Sequence, residues 1–260
     1  MAIDELVTVG GVEIEVARQG SGRPVLVLPG EDMLEAGSAF VAGLAQNAEV
    51  IVASPPGFGR SARPQWMTQP ADHAYLLLSL LKKLGLARVP VIGCSFGGWI
   101  AAEMAVMDDS CFARMVLIGP YGVKLGGPTD SDFADIYQLG PAKSAALKFR
   151  EPEKVKRDHA KLSDEELGRI ARDLESFARF GWEPYLHNPK LKHLLYRVAA
   201  PTLIVWGEKD GIASADYARG YAKLIAGARA LVVADAAHYP HIEQPDAVLR
   251  HITEFLGDAT

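Results

Sequence analysis

The sequence predicts an α/β protein in which a mostly parallel, twisted sheet is flanked by helices. Two observations predict this fold class. Short runs rich in Val, Ile and Leu recur along the chain, and segments of helical length separate most of them. This alternation is typical of strand–helix–strand units, in which parallel strands are joined by helices that cover the sheet.

The predicted elements follow one another in a regular order. Residues 12–17 alternate apolar and polar side chains, as a strand exposed on one face does, whereas residues 23–30 are almost continuously apolar and predict a strand covered on both faces. Further strands are predicted at residues 50–54, 89–93, 115–119, 202–207 and 231–234. Helices are predicted at residues 71–84, 99–106 and 214–225.

The alternation is interrupted between residues 121 and 197, where no strand is evident. We therefore predict a core domain of residues 1–120 and 198–260, with residues 121–197 inserted as a helical cap. We interpret the dense charge of residues 148–172 as the solvated surface of a helix.

One helix of this insertion has a clear start signal. Ser163 and Glu166 have the spacing of a capping box, in which the two side chains satisfy free amides at a helix start. The apolar side chains that follow fall on one predicted helical face: Leu167, Ile170, Leu174 and Phe177.

Composition and charge exclude several classes of protein. The chain has 260 residues, 49% of them hydrophobic, and a net charge of −5, which disfavours a general nucleic-acid binder. No stretch approaches the ~20 apolar residues of a membrane span, and the start, with Asp4 and Glu5, lacks a signal-sequence pattern. Two cysteines are too few for a disulfide scaffold. We expect a cytoplasmic protein with a small-molecule substrate and neither nucleic acid nor a membrane as partner.

The most informative segment, residues 90–105, reads PVIGCSFGGWIAAEMA. It places G-x-S-x-G between a buried strand and a helix, the context that lifts a nucleophilic serine above a sheet edge. Ser95 is then the predicted nucleophile, and the backbone amide of Phe96 is the predicted oxyanion donor. Cys94 precedes the apex, so its thiol should point into the core and be inert. The alternative is an ordinary strand–helix junction with an N-capping serine.

With this motif the sequence resembles the α/β-hydrolase superfamily, near its serine esterase and carbon–carbon hydrolase branch. The resemblance covers nearly the whole chain and implies the α/β-hydrolase fold with a cap. It also implies that the acid and the histidine follow the serine near the ends of later strands. On that pattern Asp210 is the acid and His238 the base; the neighbouring acids and histidine are Glu208, Asp235 and His241.

These residue types fit the chemistry. A serine hydroxyl needs a base to remove its proton, and a carboxylate fixes the tautomer of that histidine. Taken singly, Asp210 would be a turn residue and His238 a polar loop residue. Three such groups in this order favour catalysis.

The resemblance also predicts the second oxyanion donor, the backbone amide of Glu31, although the family's usual His-Gly is replaced here by Pro29-Gly30. A carboxylate at Glu31 would repel an oxyanion unless it points away or is protonated. Ser54 stands where the family usually has Asp. The Gly57-x-Gly59 pair lacks the third glycine of a dinucleotide loop.

We predict a serine hydrolase that cleaves a small, largely apolar ester or related acyl compound through an acyl-enzyme on Ser95, of carboxylesterase type. Alternatives are a carbon–carbon bond hydrolase of a vinylogous diketone, a cofactor-free perhydrolase, and a non-catalytic ligand-binding protein. No cofactor and no metal are predicted, because His238 and His241 alone are a weak metal motif. Aromatic residues of the insertion could line an apolar cleft: Tyr121, Phe133, Tyr137, Phe149, Phe177, Phe180, Trp182 and Tyr185.

Overall fold

A computed structural model describes residues 3–257 of the protein, which contain eight strands and ten α-helices. The strands are β1 Ile3–Val9, β2 Val12–Gly20, β3 Pro24–Leu28, β4 Glu49–Ala53, β5 Val89–Cys94, β6 Phe112–Ile118, β7 Thr202–Gly207 and β8 Arg229–Val233. The helices are α1 Ala39–Leu44, α2 Pro70–Lys83, α3 Phe96–Met107, α4 Pro141–Lys148, α5 Pro152–Val155, α6 Asp164–Gly181, α7 Leu191–Leu194, α8 Ala215–Ala222, α9 Pro240–Glu243 and α10 Pro245–Gly257. Residues 1–2 and 258–260, which the sequence assigns to the core domain, lie outside the described residues.

The strands form one sheet in the order β1-β2-β4-β3-β5-β6-β7-β8. β2 pairs antiparallel with β1 and with β4, and the other five pairs are parallel. Two apolar clusters cover the two faces of the sheet. The mostly parallel sheet flanked by helices confirms the predicted fold class.

The antiparallel edge was not predicted from the sequence. β1 and β2 form a hairpin in which Val9 pairs with Val12, so Gly10 and Gly11 make a two-residue turn. Both glycines have positive φ, +56° and +82°, which this kind of turn requires. The signal was present as Gly-Gly directly before the alternating run of residues 12–17. The short helix α1 was also not predicted, since a helix of six residues carries little periodicity.

Between β6 and β7 the described chain forms helices α4 to α7 and no named strand. The capping box at Ser163 is confirmed. The predicted apolar face of α6 is wrong in part, because Leu174 is 54% exposed while Phe177 is buried. The buried face also includes two polar residues that contact the loop after β4. Asp173 accepts a hydrogen bond from the Gly59 amide at 2.9 Å, and Ser176 donates one to the Gly57 carbonyl at 2.8 Å. Polar contacts thus set the orientation of α6.

Within the described residues, none of the helices has both the length and the apolar composition needed to cross a bilayer. The parallel strands β3, β5, β6, β7 and β8 all end at the same edge of the sheet. Loops at this edge carry Ser95, Asp210 and His238.

Candidate active site

Ser95 lies at a sharp bend between β5 and α3. Its φ is +49°, a conformation that L-residues rarely adopt outside such strained turns. Glycine is required on its helical side, because a Cβ on Gly97 would lie 2.2 Å from the carbonyl oxygen of Leu28. Cys94 is buried as predicted, and burial raises the pKa of its thiol well above the usual range. The bend therefore presents the serine and hides the thiol.

The three residues assigned by the sequence come together. Ser95 Oγ lies 2.7 Å from His238 Nε2, and His238 Nδ1 lies 2.8 Å from Asp210 Oδ2. The second oxygen of Asp210 accepts the amide of Ile212 at 2.7 Å, which fixes the carboxylate. The neighbouring candidates point elsewhere: Glu208 pairs with Lys209, Asp235 with Arg150 and His241 with Glu35.

The His238 imidazole is held from several sides. Its backbone amide donates to the Lys148 carbonyl at 3.0 Å, and the Tyr121 ring stacks on the imidazole with centroids 5.2 Å apart. The end of β7 lies very close to the loop between β8 and α9, which carries His238, since a Cβ on Gly207 would be 1.8 Å from the Ala237 carbonyl oxygen. These contacts restrict the ring to the position that faces Ser95.

The loop after β3 lies against the serine. A Cβ on Gly30 would be 3.2 Å from Ser95 Cβ, closer than ordinary van der Waals contact, so the Gly30 backbone lies tightly against the serine. The Gly30 amide donates to Glu35 Oε2 at 3.3 Å, and a turn joins the Met33 amide to the Gly30 carbonyl at 3.0 Å. Within residues 3–257 no hydrogen bond engages the Glu31 amide. That amide and the orphan amide of Phe96 at the start of α3 remain the predicted oxyanion donors.

The Glu31 side chain also lies in the site, and it is ionised. Burial opposes its ionisation, but the charge of Lys148 and the hydrogen bond from its ammonium are the main effects that outweigh burial, and the pKa of Glu31 is held at about 2. The sequence offered two ways to tolerate this carboxylate, protonation or a turn away from the site. The structure shows a third, an ion pair with Lys148 Nζ at 2.8 Å.

Lys148 is a residue of this candidate site that sequence reasoning missed. It ends α4, and its ammonium also contacts Asp32 Oδ2 at 2.7 Å; nearby acids raise its pKa against the opposing effect of burial. The interpretation of residues 148–172 as a solvated surface is therefore wrong for Lys148, which is 7% exposed. No local pattern marks it, because its partners lie more than a hundred residues earlier in the chain.

A second buried cluster lies behind the serine bend. The ligand atoms of Glu35, Cys94 and His241 are all within 4.8 Å of one another, so by distance these three could hold a metal ion. A hydrogen bond of 2.9 Å already joins Glu35 Oε1 to His241 Nε2. Because that pairing and the Gly30 contact account for Glu35, the absence of a metal stays our prediction.

The comparison with known families agrees with this architecture. The model of the family described as "Alpha/beta hydrolase family" matches residues 25–251. The chain belongs to this family. Among alpha/beta hydrolases, human serine hydrolase BPHL is 28% identical over 96% of this chain and 85% of its own length. The 2-hydroxymuconate semialdehyde hydrolase of Pseudomonas putida is 25% identical over 96% of this chain and 92% of its length.

Polyketide synthase ThaQ of Burkholderia thailandensis is 28% identical over 96% of this chain, but the chain spans only 12% of that protein. Among solved structures, a bacterial membrane phospholipase A is similar in fold, with a TM-score of 0.81, 21% identity and coverage of 99% of this chain and 86% of that one. The alpha/beta hydrolase family and its fold are thus established for this chain, and its relatives include serine hydrolases and a 2-hydroxymuconate semialdehyde hydrolase.

Proposed function

We propose that this alpha/beta hydrolase cleaves a small, largely apolar ester or related acyl compound through an acyl-enzyme on Ser95. The observation that carries the proposal is the unbroken hydrogen-bonded chain from Ser95 Oγ through His238 to Asp210. A ligand-binding protein has no need for such a chain in an apolar interior, where polar groups are costly to bury.

The geometry supports a two-step reaction. His238 Nε2 takes the proton of Ser95 Oγ as that oxygen attacks the substrate carbonyl, and Asp210 stabilises the imidazolium. The amides of Phe96 and Glu31 donate to the oxyanion. His238 then returns the proton to the leaving alcohol, and the acyl group remains on Ser95. A water molecule then attacks the acyl-enzyme as His238 takes its proton, and His238 returns that proton to Ser95 Oγ as the acid leaves.

We propose that residues 121–197 act as the cap of this site. Tyr121, Phe133 and Phe177 from this segment are buried, and Tyr121 and Phe177 stack with centroids 5.8 Å apart above the triad. Ser95, at 0% exposure, and the side chains of His238 and Asp210 are closed off from solvent. Substrate entry therefore requires this segment to move.

Carbon–carbon bond hydrolysis is the second candidate. It is favoured by the likeness to the 2-hydroxymuconate semialdehyde hydrolase of Pseudomonas putida. The same serine constellation could serve either reaction, so a panel of esters and a ring-cleavage product, compared by kcat/KM, separates the two.

Ser95→Ala tests the proposal. We expect loss of at least about a thousandfold in kcat on a short p-nitrophenyl ester, because no nucleophile remains. A fluorophosphonate should label the wild-type protein at Ser95, as located by peptide mass spectrometry, and should not label the variant.

Ser79→Ala, at an exposed helix position, is the matched control and should keep both activity and labelling. An unchanged melting temperature establishes that the Ser95 variant is folded. Full activity in folded Ser95→Ala would refute the nucleophile, and a folded wild type that neither turns over esters nor takes the label would favour a ligand-binding protein.

A further inference from the structure

The two oxygens of the Glu31 carboxylate differ in their hydrogen bonding to the described residues. Oε1 accepts from Lys148 Nζ at 2.8 Å and from the Tyr121 hydroxyl at 3.2 Å. Oε2 is buried and, within the described residues, has no hydrogen-bond partner. An unpartnered charged oxygen in an apolar interior is costly, which favours a role for it.

The charges around this oxygen do not cancel. The carboxylates of Glu31 and Asp32 share one ammonium, that of Lys148, which leaves one negative charge in excess. The remaining side of the ammonium faces the rings of Phe177 and Tyr239, at 5.8 and 5.9 Å. The exposed Arg157 donates to the backbone carbonyl of Asp32, and among the described residues it makes no hydrogen bond to either carboxylate. Lys148 therefore has little capacity left to bind a substrate anion.

The excess charge lies beside the nucleophile. The Ser95 hydroxyl and the His238 ring lie close enough to the Glu31 carboxylate to affect its pKa. The Gly30 backbone, one residue earlier, comes close to Ser95 Cβ. Tyr121, which donates to Glu31, stacks on the His238 imidazole. Atoms next to a carbonyl that is bound at Ser95 would consequently lie within reach of Glu31.

We propose that the Glu31 carboxylate is a specificity determinant that binds an ammonium or N–H group carried by the substrate close to its scissile carbonyl. The same carboxylate repels substrates with a carboxylate at that position. This inference rests on the proposed function, because it concerns the same site. It makes esters of amino-substituted acids the preferred substrate class and disfavours the carboxylate-bearing substrates of carbon–carbon bond hydrolysis.

Three ethyl esters of similar size test the proposal: the ester of β-alanine, which carries an ammonium group, the neutral butanoate, and the monoester of succinate. The rate of proton release gives kcat/KM for each ester. Each value is then divided by the rate constant for alkaline hydrolysis of the same ester, which corrects for its intrinsic reactivity. We expect the wild type to prefer the ammonium ester over the carboxylate ester by at least about a hundredfold. The buried Glu31 carboxylate attracts the ammonium group of the first ester and repels the carboxylate of the second.

Glu31→Gln is the decisive variant, because it keeps the backbone amide and the shape of the side chain but removes the charge. We expect the preference for the ammonium ester over the carboxylate ester to fall by at least about tenfold. Asp32→Asn is the matched control. This variant removes one of the two negative charges that pair with the Lys148 ammonium. In the wild type, however, Asp32 Oδ2 already accepts hydrogen bonds from Lys148 and, at 2.9 Å, from the Tyr239 hydroxyl. Its preference should change by less than about threefold, because the free oxygen of Glu31 stays charged.

Each outcome decides one question. A wild type that cleaves the butanoate but ranks the carboxylate ester level with the ammonium ester overturns this inference, even if Glu31→Gln fails to fold. So does a preference that survives in folded Glu31→Gln. If the wild type cleaves none of the three esters and takes no fluorophosphonate label, the proposed function itself fails.

Discussion

Lys148 holds two carboxylates together in the interior, and its contribution differs from that of an exposed lysine. Burying an ammonium is costly, and the cost is offset here by two short contacts, to Glu31 and to Asp32. Its removal would leave both acids uncompensated, with one of them beside the position of the developing oxyanion. Lys148 thus links the stability of the fold to the electrostatics of the proposed reaction.

Lys148→Met is expected to lower the free energy of unfolding by about 3 kcal/mol at pH 7 and to reduce kcat on neutral esters. The Glu31 pKa of about 2 lies below its ordinary value of 4.5, so its stabilising contribution is present above pH 4.5 and is lost as the pH falls towards 2. The stability gap between wild type and variant, measured by urea unfolding, should therefore narrow below pH 4.5.

Lys154→Met provides the comparison, because Lys154 pairs with Glu151 on the surface, where the side chains are 72% and 58% exposed. That variant should lose less than about 0.5 kcal/mol. Equal losses for the two lysine variants would contradict the role given to Lys148.

The loop after β3 and the short helix α9 are joined by a buried contact of their own. Glu35 accepts from the Gly30 amide through one oxygen and faces His241, in α9, through the other. This contact fixes the backbone one residue before the predicted oxyanion donor, Glu31. Small displacements of such a donor are costly for catalysis, because its hydrogen bond strengthens only in the transition state.

Glu35→Ala should lower kcat by about tenfold or more while KM changes little, since the loop would lose its anchor but the cleft would keep its lining. Glu35→Gln, which retains an acceptor for the Gly30 amide, should recover most of kcat, and this rescue distinguishes positioning from general destabilisation. Steady-state kinetics on a neutral ester measures both. His251→Gln, at an exposed position on α10, is the control. A rise in KM alone would argue against a positioning role.

The segment between β6 and β7 is attached to the rest of the molecule by polar contacts as well as by aromatic packing. Asp173 accepts the Gly59 amide, and Ser176 bonds both to the Gly57 carbonyl and to Arg63. Burial raises the pKa of Asp173 to about 6, although the Gly59 hydrogen bond and nearby arginines oppose that rise. The attachment should consequently depend on pH.

The pKa of Asp173 lies above its ordinary value of 3.8, so its contribution to stability is fully present below pH 3.8 and is lost as the pH rises through 6. Asp173→Asn keeps an oxygen for the Gly59 amide but cannot ionise. We expect it to raise the melting temperature relative to wild type at pH 8, with the two values converging at pH 4. Glu175→Gln, exposed on the same helix, controls for the loss of one negative charge. A difference that grows towards pH 4 would refute the assignment.

The fold and the triad could be predicted from sequence because their signals are local. Five consecutive residues encode the bend at Ser95. Asp210 and His238, to which the family resemblance pointed, follow the ends of β7 and β8 within a few residues. Lys148 and Glu35 could not be predicted in the same way. Their partners lie 117 and 206 residues away along the chain, and only the folded sheet brings them together. The prediction for the buried face of α6 failed for a related reason. Asp173 and Ser176 form hydrogen bonds to Gly59 and Gly57, which are distant in sequence, and these contacts set which face of the helix is buried.

The pairing of Lys148 with Glu31 and Asp32 also bears on how such proteins can be recombined. A foreign segment exchanged for residues 121–197 would remove the ammonium while its two acids stayed behind in the recipient. The natural unit of exchange is therefore discontinuous. It consists of that segment together with the loop that follows β3, so a chimera built from this chain should exchange the two together.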